Sequence, residues 1–408
     1  MTLLLRLALR NLVRNARRTL LTTTVIVAAI GVLILGEGFI SGVEDNIIIS
    51  AEDASVGHLT VRPADYPADL GQYPVDALLD ISPDQRAYLN GEATAWTART
   101  LFQPTVIAGE DWVRARGIGY DPATDAGVFP RRLWSIEGRA PASPGDEILI
   151  APGIASLLNL DVGQSVVLQL RTHEGAINAL DVKVAGIVTT TNASLDMAGL
   201  FAPRELVARL IASSKPSHIS LRLRHRDAID EVAPRLKARF GERTELISWR
   251  SETAELLRLQ GIRRRALQLL VFVLMALAAF GITNTILMAA HERVREVGTL
   301  QALGMPRHRV LQMFLVEGAI MGVFGSLLGA AWGGGLVGHW SLTPIDFSAY
   351  TQDVRMDAFS FSVLIYTHFE WSVVLTAIAF GSLISVLASV YPAQVASRMA
   401  PADAVRAD

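Results

Sequence analysis

Four stretches of this chain carry no charged side chain and are long enough to cross a bilayer as helices: Thr19 to Gly36, Ala266 to Ala290, Gly318 to Gly338 and Trp371 to Ser397. At about 1.5 Å of rise per residue, each approaches or exceeds a hydrocarbon core of roughly 30 Å. The content of hydrophobic residues, 51%, is too high for an ordinary soluble domain, and the four runs account for the excess. Their spacing is uneven. The first stands alone, residues 46 to 250 contain no further spanning run, and the last three follow in close succession. The first run is longer than a usual signal core and no small-residue cleavage pattern follows it, so it reads as an uncleaved membrane helix.

Between the first and second runs the pattern changes to short strand-like segments: Gly57 to Val61, Ala95 to Ala108, Val113 to Tyr120, Glu147 to Ile150, Val166 to Leu170, Val182 to Thr190 and His218 to Leu223. Helical patterns alternate with some of them, at Pro152 to Leu160, Pro203 to Ala212 and Asp227 to Phe240. The fold class is therefore an α-helical membrane protein with four transmembrane helices plus a mixed α/β extracytoplasmic domain on an extended helical stalk. The stalk is expected because Ser251, read as an N-cap, opens helical patterning that continues to Ala290, about 60 Å of helix. Met197 and Leu200 read as buried packing of the α/β domain.

The expected layout is a cytoplasmic amphipathic helix over 1–18, a first span within 19–45, and the extracytoplasmic domain over 46–250. The stalk and second span cover 251–290, a charged connection 291–309, the third span 310–339, an outer loop 340–370, the fourth span 371–391, and a cytoplasmic tail 392–408. Residues 1–18 hold Arg6, Arg10, Arg14, Arg17 and Arg18 without an acid, which places that end on the cytoplasmic side by the positive-inside trend, as a topology anchor or a specific lipid contact. Arg263, Arg264 and Arg265 stand at the outer end of the second span against that trend. Long translocated segments weaken it little.

The connection His291 to Gly304 (HERVREVGTLQALG) is the densest charged feature among the spans. Glu292 with Arg295, and Arg293 with Glu296, are three apart and can pair on a helix. Val294, Val297 and Leu300 form an apolar stripe, and Gly304 before Pro306 marks a helix stop. This predicts a short amphipathic helix at one membrane face, open to a partner; a solvated loop is the plainer alternative. In the third span Gly318, Gly322, Gly325, Gly329 and Gly333 lie on one ridge, which lets another helix approach at backbone distance, in this chain or in a second copy. Asn284, between Thr283 and Thr285, is expected to hydrogen-bond across helices.

Several chemistries lack their residues. No Gly-Lys pair exists, so there is no P-loop, and neither HExxH nor GxSxG occurs. Gly333, Gly335 and Gly338 satisfy GxGxxG but fall in a membrane run rather than after a strand. Cysteine is absent, excluding thiolate metal sites and disulfides. With three lysines and a formal net charge of −2 there is no global basic signal for nucleic acid. No acid lies at mid-depth in a span, so an ion-coupled carrier lacks its usual groups. Catalytic, cofactor and metal residues are therefore expected to be none.

The segment HERVREVGTLQALGMPRHRVLQMFLVEGAIMG resembles the region after the second span in permeases of the MacB, LolC/LolE and FtsX superfamily. Their R-x-x-E-x-G-x-x-x-A-x-G pattern falls on Arg293, Glu296, Gly298, Ala302 and Gly304, with Glu317 at the acidic position opening the third span. The tail YPAQVASRMAPADAVR is similar to the family's closing motif, on Tyr391, Pro392, Ala393, Ala396, Pro401, Ala404 and Arg406. GRAPASPGDEILIAPGIASLLNLDVGQSVVLQL, followed by VAGIVTT, resembles its periplasmic core, and the opening residues look most like the LolE-type branch.

The resemblance implies a bacterial inner-membrane permease subunit with both termini cytoplasmic, a coupling helix, and no catalysis of its own. ATP and Mg would be bound by a separate cytoplasmic ATPase subunit dimer. It also implies a second permease chain, identical or homologous, and contact with membrane lipid. Lipoprotein or amphipathic cargo would be released from the outer leaflet, with a periplasmic partner as a further expectation. Two alternatives stay open: MacB-like export of peptides or drugs with an adaptor, and FtsX-like signalling to a periplasmic hydrolase.

Overall fold

In the computed structural model, which describes residues 10, 14, 16–67, 73–131, 134–190, 192–346 and 364–398, the first apolar run lies inside one helix, α1 (Ala16–Ser50), followed without a break by a π-helical turn, Ala51–Ser55. Then come β1 (Leu59–Pro63), α2 (Pro83–Glu92), β2 (Ala95–Phe102), β3 (Thr105–Ala108), β4 (Asp111–Arg114), β5 (Arg116–Tyr120), α3 (Pro122–Val128), β6 (Ser135–Gly138), β7 (Glu147–Ile150) and α4 (Pro152–Leu158). The α/β region continues with β8 (Ser165–Arg171), β9 (Ile177–Thr189), α5 (Ala193–Ala198), β10 (Gly199–Pro203), α6 (Arg204–Ile211), β11 (His218–Arg222), α7 (Ile229–Phe240) and β12 (Thr244–Ser248). The chain ends with α8 (Trp249–Glu292), α9 (Val294–Ala302), α10 (Arg307–Leu342) and α11 (Trp371–Ser397). Most of the N-terminal segment 1–18, residues 347–363 of the expected loop, and Pro401, Ala404 and Arg406 lie outside the described residues.

The residues divide into two units. One holds 1–44, 258–345 and 365–408; the other holds 45–257 and 346–364. Among the described residues, four helices are long and apolar enough to cross a membrane: Ala16–Ser55, Trp249–Glu292, Arg307–Leu342 and Trp371–Ser397.

In the helical unit, glycine sets the distances between helices. A Cβ added at Gly329 would lie 2.8 Å from the Val27 carbonyl oxygen, and one at Gly333 2.7 Å from that of Gly31. Gly325 packs in the same way on Ile26, so this half of the ridge seats α10 on α1. Gly318 and Gly322 instead face Ser389 and Ser385 of α11, where an added methyl would overlap those side chains. Both neighbours of the ridge therefore lie in this chain. The two serines return their hydroxyls to their own helix, Ser385 Oγ to Gly381 O at 2.8 Å and Ser389 Oγ to Ser385 O at 2.5 Å. Ser385 and Ser389 are thereby satisfied within their own helix, whereas Ser326 and Ser382 at the same contact keep buried hydroxyls with no partner among the described residues. Around these seams Ile26, Ile30, Met275, Ile282, Phe314 and Met321 form the core.

The α/β unit is built on one mixed sheet of order β12-β1-β11-β2-β5-β10-β7-β9-β8-β3-β4, with β6 added to β9. Strand β2 changes partner along its length: Ala95 to Arg99 pair with β11, and Thr100 to Phe102 with β5. Two cores follow. One gathers Leu59, Val61, Leu89, Ile219, Leu221 and Leu236 under α2 and α7. The other gathers Phe102, Ile148, Leu168, Val184, Leu200 and Leu210 under α4 and α6. Strand β8 shows the reason in miniature, since Val166, Leu168 and Leu170 alternate inward while Ser165 and Arg171 face water.

Two expectations for this unit are corrected and a helix is added. Helix α8 starts at Trp249, with Ser248 as the capping residue: Ser251 N donates to Ser248 Oγ at 3.1 Å and Ser248 N to Ser251 Oγ at 2.9 Å. Ser251 thus completes a reciprocal cap three residues inside the helix rather than opening it. Helix α2 is an addition to the expected elements, and Ser82 and Gln85 cap it in the same reciprocal fashion. Leu200 is buried, whereas Met197 is 54% exposed at the end of the short helix α5.

Burial makes this unit acid-sensitive. His58 is pushed down to about 4 by burial and by Arg222 and Arg226, and its Nδ1 accepts from Leu223 N at 3.1 Å. His218 is pushed down to about 3 by burial and by Arg62 and Arg99. Below pH ~6.5 the unfolded chain takes protons that these rings refuse, so stability falls as pH drops from about 6.5 toward 3. Asp196, raised by burial to about 6, opposes this between about pH 4 and 6, because there the folded chain binds the extra proton. Thermal unfolding should show a lower midpoint at pH 4.5 than at pH 7. The pH slope should flatten in His58→Asn, whose amide oxygen can replace Nδ1 as acceptor, and steepen in Asp196→Asn.

The helix seams make a second prediction. Gly333→Ala should lower stability by about 1–3 kcal/mol in detergent unfolding, since backbone atoms must shift. Gly335→Ala, which meets nothing within 4 Å, should be neutral or slightly stabilising.

Candidate functional site

The charged connection forms helix α9, held between the ends of α8 and α10. The break between α8 and α9 falls on Arg293, whose backbone leaves the helical region at φ −118°, ψ 19°. This kink turns the Arg293 side chain inward. Its guanidinium is 2% exposed and meets the equally buried carboxylate of Glu317 on α10 at 3.3 Å. Val297 and Gly298 are buried beside it, and Gln301 Nε2 donates to Ser397 O of α11 at 3.3 Å. One side of α9 is thus fixed to the bundle by a buried ion pair, a valine, a glycine and an amide.

The other side is open. Arg295, Glu296, Thr299 and Ala302 are exposed, and Leu303, just past the helix end, is 81% exposed. Gly304 adopts φ +95° and its N–H returns to Gln301 O at 3.0 Å, closing the helix as its sequence position predicts. Pro306 then caps α10, whose first residues Arg307, His308 and Arg309 are exposed as well. The surface offered is a charged ledge with one apolar knob.

The ion pairs of this region reach beyond the segment. Glu296 meets Arg14 at 3.0 Å and Glu292 meets Arg18 of α1 at 3.0 Å. Where the sequence pairs these residues within the segment, Glu292 and Glu296 meet arginines outside it and Arg293 meets Glu317, because the kink at Arg293 interrupts the helical register that i,i+3 pairing needs. With about half of each side chain in water, the links to Arg14 and Arg18 orient more than they stabilise, at about 1 kcal/mol or less each.

Of the other expected packing residues, Asn284 differs from its neighbours. Thr283 Oγ1 donates to Ala388 O at 3.0 Å and Thr285 shares a hydroxyl contact with Thr22 at 3.1 Å, whereas Asn284 is exposed on the outer face of α8. At the opposite end of the bundle, Arg264 of α8 clamps α1. Its Nε donates to Glu37 at 2.9 Å and its Nη2 to Glu44 at 3.2 Å and to Ser41 at 3.3 Å. Sequence reasoning misses Leu303 and the Arg264 clamp. The first is an apolar residue directly before a helix-ending glycine, which is a readable signal; the second joins residues more than 200 apart in the chain and leaves none.

Comparison with known proteins gives matches over nearly all of this architecture. Residues 19–239 match the MacB-like periplasmic core domain, and residues 268–401 match the FtsX-like permease C-terminal region. The chain is 23% identical over 331 residues to the lipoprotein-releasing system transmembrane protein LolC of Xylella fastidiosa, covering 76% of this chain and 80% of that one. It is 26% identical over 439 residues to the macrolide export ATP-binding/permease protein MacB 2 of Aeromonas hydrophila, covering 98% of this chain and 60% of that one. The extracellular domain of the noncanonic ABC-type transporter YknZ from Gram-positive bacteria aligns at 14% identity, with 47% of this chain, 99% of that one and a TM-score of 0.33.

The buried pair at the root of α9 yields a direct test. Glu317→Gln leaves the Arg293 charge without its carboxylate and should cost about 3–5 kcal/mol in detergent unfolding. The double variant Arg293→Met with Glu317→Met should recover most of that loss. If the single and double variants are equally destabilised, the pair does not carry the contact.

Proposed function

Since this chain belongs to the ABC transporter permeases of the MacB, LolC and FtsX family, we propose that α9 is the surface on which a separate cytoplasmic ATPase dimer acts, and that the permease uses that stroke to release lipoprotein or lipid-like cargo from the outer leaflet. Members of the family are inner-membrane permeases with a periplasmic domain, and they work with cytoplasmic ATPase subunits. The observation that carries the proposal is the two-sided character of α9. An exposed ledge of Arg295, Glu296 and Leu303 is backed by the buried Arg293–Glu317 pair, so a push on the ledge moves the bundle rather than bending a loop.

In this reading ATP and Mg bind in the ATPase, and the permease takes part in no bond-breaking step. Both chain termini lie in the cytoplasm with α9, and the α/β domain lies in the periplasm. Helix α8 is uninterrupted from Trp249 to Glu292 and transmits displacement along its length without opening a channel. A second permease chain, identical or homologous, lies beside α8, where it satisfies the exposed Asn284 amide within the membrane. The LolC relatives support lipoprotein as the cargo; the macrolide export relative MacB 2, which aligns with 98% of this chain, supports export of peptides or drugs with an adaptor as the second reading.

Glu296→Arg and Leu303→Asp should each reduce co-purification of the ATPase at least tenfold while leaving the unfolding midpoint near wild type. Retention of the ATPase by both variants would refute the assignment of α9. Asn284→Leu should weaken association between permease chains, read by mass photometry in detergent. Analysis of what co-purifies then separates the cargo readings: bound lipoprotein supports release, an adaptor protein supports export, and a periplasmic hydrolase without lipidated cargo supports signalling.

A further inference from the structure

The α/β unit contains a cavity of about 110 Å³ beside the point where β2 changes partners. That is room for several water molecules or one small organic solute. Its walls come from distant parts of the chain: β1, β2, β5, β11, β12 and the start of α8 all contribute. Leu101, Ile118, Leu195 and Ile247 supply apolar lining.

The polar groups fall into two kinds. Some are engaged with protein partners and hold the walls, although Arg62 among them also acts on Glu252. Arg99 uses Nε and Nη2 on Asp125, at 2.7 and 2.9 Å, and Nη1 on Ala54 O at 2.8 Å. Arg62 pairs with Glu245 at 2.8 Å. His218, kept neutral by burial, bonds Ser217 through Nδ1 at 2.7 Å and stands edge-on to Tyr66 at 4.7 Å. Others have capacity left. Tyr66 is 6% exposed, yet its hydroxyl is buried with no partner among the described residues. Arg116 bonds the Ser194 hydroxyl and pairs with no carboxylate among the described residues. Glu252, on the first turn of α8, lines the cavity with no hydrogen bond assigned to it among the described residues. Tyr73 lies in the field of both Arg116 and Glu252, which places these opposite charges around one space.

From this juxtaposition we propose that the cavity is a binding site for a small zwitterion of the α-amino-acid type. Its carboxylate would meet Arg116 and the Tyr66 hydroxyl, its ammonium Glu252, and its apolar side chain the lining of Leu101 and Ile247. The alternatives match less well. A dianion would face Glu252 with like charge, a simple cation would face Arg116, and an apolar molecule would leave all three polar groups desolvated. Ethanolamine phosphate on a lipid headgroup carries the same pairing of charges, so the test must separate a free solute from a headgroup.

The experiment is calorimetric titration of the full chain in detergent with leucine, leucinamide, 4-methylpentanoate and glycerophosphoethanolamine. Leucine should bind, and the two analogues lacking one charge should bind at least tenfold more weakly. Arg116→Gln and Glu252→Gln should each weaken leucine binding at least tenfold, Tyr66→Phe should do so by a few-fold, and Ile247→Trp should abolish it by filling the space. Because the analogues are tested on the unaltered protein, a variant that fails to fold does not decide the outcome. No leucine binding, equal binding of leucinamide or 4-methylpentanoate, or binding of glycerophosphoethanolamine alone would each overturn the proposal.

Discussion

Glycine at the seams of α10 is the constraint on which the helical unit depends. In hydrocarbon, apolar side chains gain nothing by leaving lipid for another apolar surface, so helices hold together by close packing and by hydrogen bonds that have no solvent competitor. Gly329 and Gly333 bring α10 against the backbone of α1, Gly325 seats it on the Ile26 side chain, and Gly318 and Gly322 bring it against the serine edge of α11. One helix therefore positions two others. The buried carboxylate of Glu317 sits at the end of this ridge and places Arg293, so the orientation of α9 follows from the glycine spacing.

Charge is used in two ways along the chain. Arg293 with Glu317, and Arg99 with Asp125 and Arg131, are removed from water and set geometry. At Asp125 burial pushes the carboxyl up, but Arg99 and Arg131 outweigh it and hold the group below its ordinary range. Such pairs favour one arrangement over others more than they add net stability. The exposed pairs of Arg14 and Arg18 behave differently. They are screened and exchangeable, and orient side chains without fixing them.

The four spans are legible because a run of 18 or more residues without charge rarely suits anything but hydrocarbon, and the strands of the α/β unit because alternation and turn residues mark them. Pairings across distance stay hidden. Nothing near Arg293 announces that it turns away from Glu296 toward a carboxylate 24 residues on. The glycine ridge is visible, but its split between α1 and α11 depends on how the spacing of four, three, four and four drifts around the helix. Ser251 misleads because two serines three apart can each serve as a cap; the choice belongs to Ser248, which pairs with β1 as part of β12. The cap on α2 is readable at Ser82 and Gln85, where a serine stands three residues before a glutamine and directly before a proline.

Strand β2 carries a consequence for how such a domain can be divided. Its first five residues complete one half of the sheet and its last three begin the other, with Arg99 at the changeover bonded to Asp125 and to the π-helical turn after α1. Neither half is a transferable module. A chain break inside Ala95–Phe102 would split a strand that both halves need.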